Sequence, residues 1–386
     1  MVANVGNVQL MQRINRVKVL QCIRQNGALA RPAIARKTDL SLSSITNIIN
    51  YLLEKNLVHA VGRQSNAGAG RRAALISFNA SARFLVCINI EPLAAHVALC
   101  DLSGTIISMS RIVIRESHTA GDVLAMLLDA VNTIVSEQRD VCAIGISVSG
   151  HVTPDSGVVS SSIMRWKDVR VRDYFEHATG LHVYVSNNSK TKALWQIAQY
   201  GGELPHRIIF LDLAQGVGII SIYDGQVNES VSGELGHTTV MKEGPVCFCG
   251  NRGCLELVCS VKFILQRCRE KRLAVTSFAD ALALFSSGCG DIRVIFEECA
   301  EYLGIGIANI ISLFEPMLII INDNELTSCE FIYQTALEEA QKRAYNLFSK
   351  PVQYEKVTIN SDHALKGVAY YVADRLFALD GPDDVM

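Results

Sequence analysis

The stretch FLVCINIEPLAAHVALCDLSGTIIS, residues 84–108, has the same pattern of strands and turns as IIFLDLAQGVGIISIYDGQVNES, residues 208–230. Each predicts a strand, a turn and a second strand, then a glycine turn (Ser103-Gly104 or Asp224-Gly225) and a third strand. Helical and strand-like segments alternate after each of them. An internal duplication of this kind predicts an α/β fold with two similar lobes and a cleft between them. Such clefts commonly bind small molecules.

Upstream of this duplication, residues 1–80 have the pattern of three helices and a hairpin. Pro32 opens the short second helix, since proline is tolerated in a first turn, and Ser41 is an expected N-cap of the third. The stretch 58–78 predicts two strands around a glycine-rich, basic tip. The first helix is indicated by apolar residues at a helical period, namely Ile14, Val17, Leu20 and Ile23. The pattern is that of a winged helix-turn-helix.

Charge is divided unequally between this head and the rest of the chain. Residues 1–83 hold 12 Lys and Arg residues, but Asp39 and Glu54 are their only acids. The other 303 positions hold 24 Lys and Arg residues and 36 acids, although the whole chain has a net charge of only -2. A basic head on an acidic body indicates that the head binds a polyanion.

The candidate DNA-binding residues form two groups. The third helix has a short, uncharged polar face that can hydrogen-bond to base edges, made by Ser43, Thr46, Asn47 and Asn50. The wing adds cations for phosphate or the minor groove, namely Arg63, Arg71 and Arg72. A small helical subdomain that does not bind DNA is the alternative, and the charge distribution favours DNA binding over it.

Composition places the chain among cytoplasmic globular proteins. Its 386 residues are 49% hydrophobic and 19% charged, which suits two or three domains with buried cores. The start has no secretory pattern, and the apolar stretch 305–321 is interrupted by Glu315 and Pro316, so we expect no membrane span. Most of the 12 cysteines stand singly in apolar runs, which indicates a reducing compartment.

Three cysteines and a histidine stand close together in the segment GELGHTTVMKEGPVCFCGNRGCLE, residues 233–256. His237, Cys247, Cys249 and Cys254 supply the four nitrogen and sulfur donors that zinc prefers at tetrahedral corners. A redox pair is possible, but the spacing is CxC rather than CxxC. Idle surface thiols fit poorly, because clustered thiols in a cytoplasmic protein invite oxidation. The sequence therefore favours a structural Zn²⁺ site.

The block CFCGNRGCLE, the preceding GELGH and the winged helix with its GRR tip resemble the ROK family of repressors, open reading frames and sugar kinases. The resemblance runs from about Ile14 to about Phe377 and is to the regulator branch, since family kinases lack the head. It implies an actin-like, ribonuclease-H-like body and a homodimer or tetramer. We expect a head at 1–80 and a ROK domain at 81–386. Its lobes would be about 82–190 with the helix 362–378, and about 191–361.

The resemblance also allows the kinase positions to be compared. Where family kinases have a DxGGT phosphate loop, this chain has residues 89–93, in which Glu91 adds negative charge and Pro92 removes an N–H donor. The catalytic Asn-Asp pair matches Asn187-Asn188, and an amide cannot act as the general base. The second phosphate loop is partly lost at Ile220, and Asn322-Asp323 replace the adenosine-side glycines. We therefore expect no kinase activity and no catalytic residues.

The sugar-side positions are kept better. By resemblance, the residues that would hold a monosaccharide are Gly150, Asn187, Asn188, Glu234, His237 and Glu256. Several donors and acceptors within one cleft suit a polyol. Each has a structural alternative: Glu256 could cap a helix, Asn187 could hold a turn, and Glu234 could be a solvated surface acid. His237 can serve two roles, because one ring nitrogen can bind zinc while the other faces the sugar.

These expectations combine into one functional hypothesis with two alternatives. The hypothesis is a DNA-binding regulator, most simply a repressor of carbohydrate-uptake or catabolism genes, that responds to a monosaccharide. The first alternative is a ROK-type sugar kinase with an added DNA-binding head. The second is a repressor controlled by a protein partner, which the sequence does not distinguish from sugar control.

Overall fold

The structure, a computed structural model, describes residues 8–63, 74–138, 140–153, 156–161, 163–200, 203–213, 216–228, 231, 233–323, 325–345 and 351–382. The expected α/β class is confirmed, with two five-stranded sheets behind a small N-terminal helical unit. None of the helices in these ranges has the length and hydrophobicity needed to cross a bilayer.

The head has the three helices and the hairpin that the sequence predicts. Its elements are α1 (Val8–Asn26), β1 (Leu29–Ala30), α2 (Arg31–Thr38), α3 (Leu42–Glu54), β2 (Val58–Arg63) and β3 (Ala74–Phe78). Ser41 caps α3, since its side chain accepts a hydrogen bond from the Ser44 N–H. Asp39 ends α2 in the left-handed region, at φ 53°, so the chain turns sharply into α3. The two-residue β1, which we did not predict, pairs with β3.

The first lobe is built on a sheet of strand order β11-β7-β4-β5-β6. Its elements are β4 (Phe84–Glu91), β5 (Ala94–Asp101), β6 (Ile106–Val113), α4 (Ala120–Glu137), β7 (Val141–Val148), β8 (His151–Val152), β9 (Val158–Ser161), β10 (Trp166–Arg170), α5 (Val171–Thr179) and β11 (His182–Asn187). Helix α6 (Asn188–Ala198) follows β11 and contacts both lobes, and the expected lobe boundary at about residue 190 falls within it. The predicted meander is β4, β5 and β6, which pair antiparallel in sequence. One face of the sheet packs on α4 and α5.

The second lobe repeats the plan with a sheet of order β14-β13-β12-β15-β16. Its elements are β12 (Arg207–Asp212), β13 (Gly218–Tyr223), β14 (Gln226–Val227), α7 (Leu255–Val258), α8 (Val261–Glu270), α9 (Phe278–Ser286), α10 (Gly290–Phe314), β15 (Leu318–Asn322), α11 (Glu330–Arg343) and β16 (Gln353–Val357). Five successive buried residues in β15 reflect a strand covered on both faces. Helices α7 to α11 cover one face, and α6 packs against the other.

The last helix, α12 (Ser361–Leu376), returns to the first lobe and packs on β4, β7 and α6. Its contact with α6 is very close at one glycine. A Cβ built on Gly367 would lie 2.0 Å from the Thr191 carbonyl oxygen. Glycine at this position therefore lets the two helices touch backbone to backbone.

The head shares its hydrophobic core with the first lobe. Buried residues of α1, α2 and α3 form one cluster with those of β4, β5 and α12. Phe78 of β3 meets Phe377 edge to face, with ring centroids 6.0 Å apart, and Arg24 forms an ion pair of 3.1 Å with Asp374. The head is thus packed against the body rather than tethered to it.

Candidate functional site

The four predicted metal ligands come together in the structure. The ligand atoms of His237, Cys247, Cys249 and Cys254 all lie within 4.8 Å of one another. His237 Nδ1 is 3.7 Å from Cys247 Sγ, and Cys249 Sγ is 3.6 Å from Cys254 Sγ. The loop folds back on itself because the Cys247 N–H donates to the Asn251 carbonyl at 2.7 Å. This cluster can hold a metal ion.

The donor set and its surroundings fit zinc. All three cysteines are free of disulfides, and Cys247 and Cys254 are buried. Desolvation raises the pKa of Cys254 to about 12, because a lone buried thiolate would be costly. A divalent cation would remove that cost, since the thiolate is the form that binds zinc.

His237 connects the cluster to the candidate sugar residues. Its Nδ1 faces Cys247, while its Nε2 lies 3.9 Å from Glu234 Oε2. Glu256 follows the cysteine loop at the start of α7, and its Oε2 accepts a hydrogen bond of 3.4 Å from the Val217 N–H. Burial raises the pKa of Glu256, although the nearby His237 opposes the shift. One ring nitrogen therefore faces the thiol cluster and the other faces a carboxylate, and the role of His237 toward a sugar stays a prediction.

The other candidate sugar residues form a second group at the start of α6. Asn187 caps the helix by accepting from the Ser189 N–H, and its Nδ2 donates to the Gly150 carbonyl at 2.6 Å. Asn188 is buried, with Nδ2 donating to the Ile90 carbonyl at 3.1 Å and to Ser149 Oγ at 3.0 Å. Asn187 thus has the turn-holding contact of its structural alternative, and its role toward a sugar stays a prediction.

The two groups are joined through β13. A Cβ built on Gly218 would lie 3.5 Å from Ser189 Oγ, so the start of α6 lies against the strand that follows Val217. The Gly236 N–H donates to the Val217 carbonyl at 2.6 Å, which ties the segment of Glu234 and His237 to the same strand. The predicted sugar residues therefore lie around one junction between the lobes.

Buried amides occupy several of the kinase-related positions. Pro92 and Leu93 form the tight turn between β4 and β5. Asn89 is fully buried, and its Oδ1 accepts a hydrogen bond of 2.7 Å from Ser147 Oγ. Asn322 is also buried, and its Nδ2 donates to Asp212 Oδ1 at 2.8 Å. With Asn187 and Asn188, amides therefore stand at four of the positions compared with family kinases.

One buried ion pair at the same junction is not predicted from the sequence. Lys192 of α6 forms an ion pair with Asp212 at the end of β12. No motif marks this pair, because a lysine four residues after a helix start is ordinarily a solvated residue. The one sequence signal for this burial is that Lys192 stands next to Ala193, an apolar residue that packs on the second sheet.

The predicted DNA-binding face of α3 is exposed. Ser43, Asn47 and Asn50 are exposed and Thr46 is half-buried, whereas Ile45 and Ile49 on the opposite face are fully buried. Arg63 is the last residue of β2. Arg71 and Arg72 lie outside the described residues, so their contribution stays a prediction.

The chain is similar to known regulators over nearly its full length. The xylose repressor of Bacillus subtilis (strain 168) is 25% identical over 382 residues, covering 96% of this chain and 98% of the repressor. The DNA-binding transcriptional dual regulator NagC of Escherichia coli (strain K12) is 26% identical and covers 87% of this chain and 86% of NagC.

Solved structures show the same fold. A ROK family transcriptional regulator, a homologue of the E. coli MLC protein, has a TM-score of 0.81 at 24% identity and covers 95% of this chain and 97% of that one. A ROK family glucokinase from Streptomyces griseus, solved with glucose and AMPPNP, has a TM-score of 0.61 at 21% identity and covers 74% of this chain and 98% of the kinase. The ROK family model matches residues 85–375. The chain belongs to the ROK family.

Proposed function

We propose that this protein is a DNA-binding transcriptional repressor of carbohydrate-uptake or catabolism genes whose operator affinity is set by a monosaccharide. The observation that carries the proposal is an exposed, uncharged polar face on α3, in a head that shares its core with a ROK body. The full-length similarity to the xylose repressor and to NagC supports it. We assign the activity to the cytoplasm.

The head, residues 1–80, binds duplex operator DNA as part of a homodimer or tetramer. Asn47 reads base edges, because it lies at the centre of the exposed face of α3. Two recognition helices contact half-sites about one or two helical turns apart. Arg63, Arg71 and Arg72 contact phosphate or the minor groove, which gives affinity rather than sequence discrimination.

The body, residues 81–386, binds the monosaccharide at the junction between lobes of about 82–190 with 362–378 and about 191–361. The polar groups of Gly150, Asn187 and Asn188 meet it from the first lobe, and those of Glu234, His237 and Glu256 meet it from the second. Side chains that donate and accept in one place discriminate polyols by leaving a buried group unpaired when a hydroxyl is missing.

A structural Zn²⁺ bound by His237, Cys247, Cys249 and Cys254 fixes the orientation of the His237 ring. When bound, the metal supplies rigidity to the loop and no chemistry on the sugar. Because Glu256 follows two residues after Cys254, the same loop also fixes the second carboxylate. Contact of the sugar with His237 or Glu256 is then transmitted through the rigid loop to the second lobe.

Phosphoryl transfer is not part of this function. The amide of Asn188 donates to a carbonyl and to a hydroxyl, and an amide does not take the proton of an attacking sugar hydroxyl. The similarity of the body to ROK kinases makes the kinase the second candidate. Turnover of ATP above background with a panel of hexoses and pentoses would establish it and refute our assignment.

Mobility-shift titration with the DNA upstream of neighbouring carbohydrate genes tests the first half of the proposal. The parent should form a specific complex, and Asn47→Ala should reduce discrimination between operator and unrelated DNA by about 1–3 kcal/mol. Asn309→Ala is the matched control, because Asn309 is an exposed asparagine on α10 of the body. A parent that binds all DNA equally refutes DNA recognition by this face.

Calorimetric titration with candidate sugars, with and without operator, tests the second half. Linkage requires a sugar that weakens operator binding to bind the operator complex more weakly by the same factor. Glu256→Ala should abolish the sugar response and leave operator binding intact. If no sugar binds, or one binds both forms equally, control by a protein partner becomes the better explanation.

A further inference from the structure

A buried ion pair lies beside the candidate ligand residues but includes none of them. Lys192 Nζ is 3.2 Å from Asp212 Oδ2, and the two side chains are only 5% and 6% exposed. Lysine and aspartate are almost never buried unless they are paired. This pair therefore has a defined geometry that solvent does not compete for.

The Asp212 carboxylate is bonded from three elements. Ser189 Oγ of α6 donates to Oδ2 at 2.8 Å, beside Lys192. Asn322 Nδ2 donates to Oδ1 at 2.8 Å from the end of β15, and Asn322 in turn accepts from the Ile359 N–H at 3.1 Å. Asp212 and Asn322 are register partners at the carboxyl ends of adjacent strands. The second sheet thus holds the start of α6 through one satisfied charged network.

The same short segment of α6 is also attached to the first lobe. Asn187 donates to the Gly150 carbonyl and Asn188 to the Ile90 carbonyl, and Thr191 touches α12 at Gly367. Within this segment, Asn187, Asn188 and Thr191 contact the first lobe and α12. Ser189 and Lys192 contact the second sheet through Asp212. A change in the angle between the lobes must move α6 with one of them and strain its bonds to the other.

Helix α12 extends this link to the head. It packs on α6 along its length and shares a core with α1 and α3. The head is consequently linked to the second lobe through α12 and then α6, and α6 is held there both by Asp212 and by apolar packing on the second sheet. A fixed head position matters in a dimer, because two recognition helices must meet two half-sites at once.

We propose that Lys192 and Asp212 are positioning residues for the effector response: their buried ion pair latches α6, which crosses the boundary between the lobes, to the second sheet and so stabilises the lobe arrangement that binds operator. The inference rests on the proposed function. A sugar that binds Asn187 and Asn188 contacts the N-terminal end of the same segment. To shift the equilibrium, the sugar must bind more tightly to the lobe arrangement in which the Lys192–Asp212 ion pair is broken.

The test uses the full-length double variant Lys192→Met/Asp212→Asn. A single substitution leaves one buried charge without its partner, which is strongly destabilising, whereas removing both charges is often neutral. An asparagine at position 212 keeps an oxygen that accepts from Asn322, and its NH2 group can donate to the Ser189 hydroxyl, which accepts as well as donates. The control is Lys342→Met, which breaks the exposed ion pair of 2.7 Å with Glu339 on α11.

Loss of the Lys192–Asp212 ion pair should change the affinity for operator and the affinity for sugar in opposite directions. Operator should bind the double variant about fivefold or more weakly, and the sugar should bind it more tightly, since an allosteric coupling of this kind is commonly 5- to 150-fold. A variant that is merely damaged would lose both affinities together. Lys342→Met should leave both unchanged.

Operator binding without sugar tests the latch even if the parent binds no sugar, so failure of the effector proposal is distinguishable from failure of this one. A double variant that is folded by circular dichroism and binds operator as the parent does would overturn the latch. So would a variant in which operator and sugar affinity fall together. Weaker operator binding with unchanged helix content and tighter sugar binding would support it.

Discussion

Replacing Gly367 by alanine should destabilise the protein, although alanine is the better helix former. Gly367 lies inside α12, where a glycine costs about 1 kcal/mol relative to alanine by propensity alone. Against this gain, the new Cβ would lie 2.0 Å from the Thr191 oxygen and 2.7 Å from its carbonyl carbon. Both atoms belong to backbone, so no flexible side chain can turn away.

The size of the clash decides the sign. Ordinary contact begins at 3.4 Å, so α6 and α12 would have to separate by roughly 1.4 Å at this point. Forcing an extra methyl group into a packed interior typically costs about 1–3 kcal/mol, and more where backbone must move. Because backbone must move here, the upper part of that range applies, about 2–3 kcal/mol, and we expect a net loss of about 1–2 kcal/mol after the gain of about 1 kcal/mol in helix propensity.

Urea unfolding followed by tryptophan fluorescence measures this loss where it arises. Trp195 of α6 stacks on His363 of α12 with ring centroids 5.4 Å apart, so its emission reports the contact between the helices. Gly290→Ala is the matched control, since a Cβ on this helical glycine meets nothing within 4 Å. The control should be unchanged or slightly stabilised. If Gly367→Ala is at least as stable as the parent, the backbone contact between α6 and α12 is wrong.

Three further predictions concern other parts of the molecule. Cys249→Ser should lower the zinc content of purified protein measured by elemental analysis, whereas Cys289→Ser should not; full metal content in Cys249→Ser would refute the ligand assignment. Hydrogen bonds from Thr276 and Ser277 lower the pKa of Asp280 to about 2. The stabilisation by the Asp280 carboxylate is therefore present above the unfolded pKa of 3.8 and is lost as the pH falls from about 4 to about 2. The difference in urea midpoint between the parent and Asp280→Asn should shrink over that pH range, and a constant difference would contradict the lowered pKa. Phe377→Ala removes a fully buried ring that contacts Phe78, so it should cost about 3–5 kcal/mol and weaken operator binding in a mobility shift; unchanged operator binding would mean that the head does not depend on this core.

Local features of the fold could be predicted from the sequence, and long-range ones could not. The Ser41 cap, the helix opened by Pro32 and the cluster of four candidate metal ligands each depend on residues within one short segment of the chain. Chain geometry alone restricts how such residues can be arranged. The three-strand meanders were predictable for the same reason, since short turns make consecutive strands neighbours.

The shared core and the latch depend on contacts between distant parts of the chain. Phe78 and Phe377 are separated by 299 positions, and no sequence pattern indicates that the two rings are in contact. Lys192 and Asp212 are charged, so a sequence pattern assigns both to the surface. Their burial follows only from the way α6 is placed between two sheets. The candidate sugar residues were named by resemblance, and the structure adds that they converge on one junction.

The shared core has a consequence for the order in which the molecule is made. The head is synthesised before α12, yet part of its core is supplied by that helix, residues 361–376. At synthesis rates of about 5–20 residues per second, the ribosome needs about 15–60 s to travel from residue 78 to residue 361. During that interval, the ion pair of Arg24 with Asp374 and the ring contact of Phe78 with Phe377 cannot form. A polypeptide that stops before residue 361 would therefore carry a head with an incomplete core, so operator binding by the head depends on the synthesis of α12.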